Sequence, residues 1–173
     1  MKLTALAISI GCLVGWFSGF CLNVTTSLPV GLYRKVYGPL RYDDVVFFCL
    51  ESRQFVTLAQ ERGYVGPGTC PGGLRPLGKQ IHGLPGDVLN IDAAGAVSIN
   101  GLAIPGSAPR TRDSAGRAMP APELAPGVIP TGQALVLALA DPGSFDGRYF
   151  GLVRIEGLTP VRPVLTYPIR RKP

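Results

Sequence analysis

Three short segments, far apart in the chain, hold the residues best suited to chemistry. Ser27 lies in Thr25-Thr26-Ser27-Leu28-Pro29-Val30-Gly31-Leu32-Tyr33, an extended segment that can project a hydroxyl into a cleft. Lys79 opens the apolar stretch Lys79-Gln80-Ile81-His82-Gly83, which runs into the tight turn Leu84-Pro85-Gly86-Asp87. Ser144, Asp146 and Arg148 fall in the polar, glycine-containing loop Asp141–Gly151. A serine hydroxyl attacks a carbonyl only when a base takes its proton. A lysine is that base only as the neutral amine, and its ordinary pKa of about 10.4 must first be lowered by apolar burial. Leu77, Ile81 and Leu84 could supply that setting. Taken singly, each segment also has an ordinary reading: a surface serine, a solvated lysine at a strand edge, and a turn in which Asp146 pairs with Arg148.

Composition narrows the chemistry further. The chain has 173 residues, a net charge of +6, and only 16% charged against 46% hydrophobic residues. His82 is the only histidine, and none of the four cysteines forms a C-x-x-C pair. A histidine-rich metal centre and a structural zinc site are therefore not expected, and no cofactor is implied. His82 could replace Lys79 as the base, but strict strand alternation puts it on the opposite face. No basic-aromatic array suggests nucleic-acid binding.

The elements around these residues read as mainly β. With 23 Gly and 17 Pro the chain is too interrupted for a helical bundle. Val45–Leu50 reads as a strand, Ser52–Arg62 as a short helix stopped by Gly63, and Lys79–Ile91 as two strand pieces around a Pro-Gly turn. Val97–Ile99 and Leu102–Ile104 flank Asn100-Gly101, the signature of a type I′ hairpin. Residues 105–130 read as an irregular excursion, Ala134–Ala140 and Tyr149–Ile155 as strands, and Tyr167–Pro173 as a basic tail. Ahead of all this, Leu3–Leu22 is an uncharged run long enough, at roughly 30 Å as a helix, to span a bilayer core. It is long for a cleaved signal peptide, and bulky Phe20 argues against a lipoprotein site at Cys21. The expectation is one N-terminal transmembrane helix, residues 1–22, carrying one antiparallel β domain, residues 23–173. Cys12 and Cys21 within the run read as small hydrophobes.

In this order, SLP, KQIHGLPGD and DPGSFDGRYFG after an apolar anchor resemble the boxes of the type I signal peptidase family. The small size, the SLPVGLY box and the segment ERGYVGPGTCPGG are similar to its conjugative-transfer, pilin-processing subgroup. Gln80 stands where the family usually has Arg, and Gly147 where it usually has Ser. The resemblance implies a signal-peptidase-like β fold and a Ser-Lys dyad of Ser27 and Lys79. It implies a supporting hydroxyl at Thr25 near the oxyanion, Ser144 orienting the amine, and an Asp146–Arg148 pair behind it. It further implies a precursor protein as substrate, a pilin subunit above all, with cyclisation as one outcome. A general signal peptidase acting on secreted proteins, and a non-catalytic anchored scaffold, are the alternatives. The location implied is the inner membrane, single-pass, with the domain on the periplasmic side and the lipid bilayer as a partner. The flanking charges, Lys2 before the run and Arg34, Lys35 and Arg41 after it, do not by themselves favour that orientation. On that side of the membrane Cys49 and Cys70 can pair; the alternative is a buried free Cys49 and an exposed Cys70.

Overall fold

In the computed structural model the described residues are 19–167. Two antiparallel sheets are built from eleven strands. The larger contains β1 (Phe20–Asn23), β2 (Val30–Lys35), β3 (Val45–Phe48), β4 (Leu77–Gly83), β9 (Gln133–Leu137), β10 (Val153–Arg154) and β11 (Thr159–Tyr167), in the order β1-β2-β11-β3-β4-β9-β10. The smaller holds β5 (Val88–Ile91), β6 (Val97–Ile99), β7 (Leu102–Ala103) and β8 (Gly127–Val128), in the order β7-β6-β5-β8.

Strand β9 ties the two halves together. Successive side chains of a strand point to opposite faces. Ala134 and Val136 enter one core with Val46, Phe55 and Ile81, while Leu135 and Leu137 enter a second with Leu89, Ile99 and Ile129. Burial on both faces explains why this segment is apolar without alternation. Helix α1 (Arg53–Arg62) lays Phe55 and Ala59 on the first core and ends at Gly63, whose left-handed φ of 67° closes the cap. The Asn100-Gly101 turn has φ of 51° and 81° at its two central residues, as a type I′ turn requires.

Several expectations are corrected. Tyr149–Ile155 is not one strand: Gly147–Phe150 forms a short helix, α2, capped by the Asp146 carboxylate, and only Val153–Arg154 is extended. The two pieces around the Pro-Gly turn do stand as strands, β4 and β5, and enter different sheets. The excursion after Pro105 contains β8, which pairs with β5. Tyr167 ends β11, and the rest of the basic tail lies outside the described residues. Most of the Leu3–Leu22 run does too; its end, Phe20–Leu22, is strand β1. Among the described residues no helix is long and apolar enough to cross a membrane.

Cys49 and Cys70 form a disulfide, with Cα atoms 5.5 Å apart. The bridge closes a loop spanning α1 and one wall of the cleft described next. In the loop-entropy picture such a closure stabilises by about 3 kcal/mol. Cys21 is a free thiol directed at the Tyr33 carbonyl, 3.7 Å away.

Candidate active site

Ser27 sits in the loop joining β1 to β2, whose ends pair as Asn23 with Gly31. The loop is folded around the buried Asn23 side chain. Its amide donates to the carbonyls of Thr25 (3.0 Å), Leu28 (3.0 Å) and Pro29 (3.1 Å). Its Oδ1 accepts from the Thr25 backbone (3.2 Å) and hydroxyl (2.8 Å). Leu28, buried beside the nucleophile candidate, packs over Gly78. A Cβ on Gly78 would stand 2.5 Å from Leu28 Cδ1 and 2.9 Å from Phe47 Cε1, so any larger residue here would push those two side chains aside.

That packing brings the loop to Lys79, which is only 1% exposed. Lys79 Nζ donates to Ser144 Oγ at 2.6 Å and to Ser27 Oγ at 3.1 Å. The two serine oxygens are 3.4 Å apart. No carboxylate lies within ion-pair distance of the amine among the described residues. Burial drives the Lys79 pKa down to about 8; the charges of Asp146 and Asp141 oppose the shift, and that of Arg148 adds to it. At neutral pH roughly a tenth of such a lysine is the free amine.

Ser144 is held from behind by a buried ion pair. Arg148 Nε and Nη2 each donate to Asp146 at 2.8 Å, a bidentate arrangement. Asp146 also accepts from the backbone of Ala138 (2.9 Å), which follows β9, and of Arg148 (3.2 Å), which caps α2. Arg148 Nη2 reaches the Ser144 carbonyl at 3.4 Å. Gly147 abuts β9 so closely that a Cβ would lie 2.7 Å from the Val136 carbonyl, a local reason for glycine at this position.

Of the residues singled out in the sequence, Ser27, Lys79, Ser144, Asp146 and Arg148 are thus brought together. Thr25 lines the cleft, but its hydroxyl is engaged with Asn23 rather than with Ser27. His82 makes no hydrogen bond to the three central groups. It falls at a register shift between β4 and β9, its buried Nε2 has no partner among the described residues, and burial holds its pKa below the ordinary value. Sequence reasoning assigned no part to Asn23, Thr26 or Asp141. Thr26 Oγ1 donates to Asp141 Oδ2 at 3.0 Å and so latches the Ser27 loop to the Ser144 loop. Asp141 was visible as the first residue of its motif; Asn23, bonded to backbone and a neighbouring hydroxyl, had no such signal.

A cleft of about 500 Å³ opens over these groups, walled by Gly63–Gly66, Arg75–Leu77, Arg110, Arg112 and Asp113. A hydroxyl that lines a cleft beside a buried, carboxylate-free amine is equipped for acyl transfer.

The sequence matches the family described as signal peptidase, peptidase S26, over residues 2–162. It is 37% identical over 153 residues to a plasmid transfer protein TraF of Escherichia coli, covering 88% of this chain and 86% of that protein. It is 38% identical over 170 residues to the conjugal transfer protein TraF of Agrobacterium fabrum (strain C58 / ATCC 33970), covering 96% and 94%. A crystal structure of a signal peptidase I from Enterococcus faecalis V583 is matched at 22% identity and a TM-score of 0.38, over 76% of this chain and 100% of that one.

Proposed function

The chain belongs to the signal peptidase family, peptidase S26, in its TraF subgroup, and from that membership we propose a membrane-anchored endopeptidase with Ser27 and Lys79 as its catalytic dyad. The observation that carries the reading is the Lys79 amine: buried, bonded only to hydroxyls, and 3.1 Å from Ser27 Oγ. The neutral amine takes the Ser27 proton as Oγ bonds to the scissile carbonyl carbon. The Ser27 backbone N–H is available to the developing oxyanion. Lys79 then gives its proton to the leaving nitrogen, the C–N bond breaks, and an ester to Ser27 remains. A second nucleophile, water or an amine of the substrate itself, gives its proton to Lys79 and releases the acyl group, and Ser27 recovers its hydrogen. Hydrolysis yields a linear product; attack by the substrate's own amine yields a cyclic one.

The substrate proposed is an exported precursor, a conjugative pilin subunit. The relatives' descriptions as plasmid and conjugal transfer proteins support it. The apolar run ahead of Ser27 supports an anchor in the inner membrane with the domain on the periplasmic side, and the disulfide fits that compartment. Exposed apolar side chains on β1 and β11 and just beyond β1, among them Leu22, Val24, Val164 and Leu165, suit contact with lipid.

The test is mass spectrometry of a candidate conjugative pilin precursor incubated with the full chain and with Ser27→Ala, Lys79→Ala and His82→Ala. Processing should vanish in the first two and persist in the third. A product lighter than the linear form by one water marks cyclisation. Retained processing in Lys79→Ala defeats the dyad, and equal processing of unrelated secreted precursors favours a general signal peptidase.

A further inference from the structure

The cleft carries more positive charge than its own acids neutralise. Arg75, Arg110 and Arg112 line it together with Ser27, Lys79 and Ser144. Arg75 Nε donates to the Pro67 carbonyl at 3.0 Å and Arg112 Nη1 to the Gly116 carbonyl at 2.7 Å. Such bonds fix a guanidinium in place without cancelling its charge. The Arg110 side chain has no hydrogen-bond partner among the described residues, although its backbone is clamped by an N–H donating to buried Tyr149 Oη at 2.9 Å. None of the three arginines has a carboxylate within ion-pair distance among the described residues.

Both acids of the cleft are already engaged. Asp113 accepts from Arg117 (2.7 Å) and Tyr64 (2.8 Å). Asp141 accepts from Thr26 (3.0 Å) and the Gly143 backbone (2.9 Å). Arg110 also reaches the Ser144 loop: its Nη1 lies 3.8 Å from where Gly143 would carry a Cβ, and Gly143 precedes Ser144.

We propose that Arg110, supported by Arg75 and Arg112, forms a carboxylate subsite of the cleft, which takes an acidic group of the precursor close to the scissile bond. The proposal rests on the endopeptidase reading above. Guanidinium groups match carboxylates in charge and in their planar donor geometry. The carboxylate has two possible sources, an Asp or Glu side chain or the end of a chain.

Binding without turnover distinguishes them. Full-length Ser27→Ala protein in detergent micelles is titrated calorimetrically with an acetylated alanine–glycine decapeptide bearing one central Glu, and with its Gln counterpart. Each is used with a free and with an amidated C-terminus. Tighter binding of the Glu peptides assigns the side-chain carboxylate; tighter binding of the free-acid forms assigns the chain end. Adding Arg110→Gln should reduce the preference about fivefold, the size expected of a solvent-facing charge pair, and raised salt should weaken it. Equal affinity or no binding for all four peptides, or a preference that Arg110→Gln leaves intact, overturns the subsite. The readout involves no bond cleavage. Failure of the dyad in the processing assay therefore leaves a measured carboxylate preference standing, and loss of the preference leaves the dyad standing.

Discussion

Lys79 Nζ lies closer to Ser144 Oγ, at 2.6 Å, than to Ser27 Oγ, at 3.1 Å. In the proposed dyad the amine is thus anchored by the hydroxyl that takes no part in bond making. A lysine stem has four rotatable carbons, and without an anchor the base would wander from the proton it must take. Ser144 is itself fixed, by its N–H donating to the Asp141 carbonyl at 2.9 Å and by Arg148 at its own carbonyl. Ser144→Ala should lower kcat for precursor processing by about a hundredfold, as expected for a small misplacement of a catalytic group, with KM little changed. Because the lost hydroxyl accepts a bond from the ammonium form, the acid limb of the rate–pH profile should also move to lower pH. A rate profile on wild type and variant checks both effects; a simple packing role would leave the limb in place.

The lowered Lys79 pKa has a consequence for stability. Its folded value of about 8 lies below the ordinary 10.5 of an unfolded lysine. Between those values the unfolded chain binds more protons, so stability rises with pH across that window. Below pH 8 the native state carries a buried ammonium, and the penalty levels off at about 3 kcal/mol once the lysine is protonated in both states. Lys79→Met removes the titration. Urea unfolding of wild type and Lys79→Met at pH 7 and pH 10 should show wild type gaining on the variant by a few kcal/mol. A constant difference would mean that Lys79 titrates normally.

What the sequence made legible was local. Helix α1 and its Gly63 cap, and the Asn100-Gly101 turn, depend on residues within a few positions, and both stand near where they were read. Strand β11 was missed because Pro160 and Pro163 argue against a strand paired on both sides. The structure accommodates Pro163 at a register shift against β2. Tyr149 and Phe150 read as the start of a strand although they end the helical turn Gly147–Phe150, because four residues are too few to show a period and the cap, Asp146, reads as an ion-pair partner. The site differs again. Ser27, Lys79 and Ser144 are separated by 52 and 65 residues, so no spacing argument joins them; only the order of three motifs did.

Asn23 should tolerate a change of shape better than a change of charge. Its amide donates to three carbonyls of the turn around Ser27; of these only that of Pro29 has a second side-chain donor, the Tyr33 hydroxyl at 2.7 Å. Asn23→Ala should cost about 1–3 kcal/mol, the range for leaving buried polar groups without partners, and should slow processing by loosening the Ser27 loop. Asn23→Asp keeps the size but turns a negative oxygen toward those carbonyls, so it should be the more damaging of the two at neutral pH. Thermal melts and processing rates of both variants check the order; a milder Asp variant would contradict the role given to the amide.

Burial does most to lower the Lys79 pKa, and the buried Asp146–Arg148 pair trims that shift through its two charges. Asp146 and Asp141 favour the ammonium and Arg148 opposes it, so removing only Arg148 leaves the Asp146 charge uncompensated. Arg148→Met should therefore raise the Lys79 pKa and push the acid limb of processing to higher pH. It should also destabilise by about 3–5 kcal/mol, since one charge of a buried pair is left uncompensated. The variant that keeps the experiment decisive if Arg148→Met fails to fold is Asp146→Asn combined with Arg148→Met. With both charges gone, stability should recover part of the loss, and the Lys79 limb should return toward, or fall below, its wild-type position. If the double variant instead kept the limb as high as Arg148→Met, the source of the shift would be a moved Ser144 loop and not the carboxylate. Rate–pH profiles and urea unfolding of the single and double variants separate the two causes.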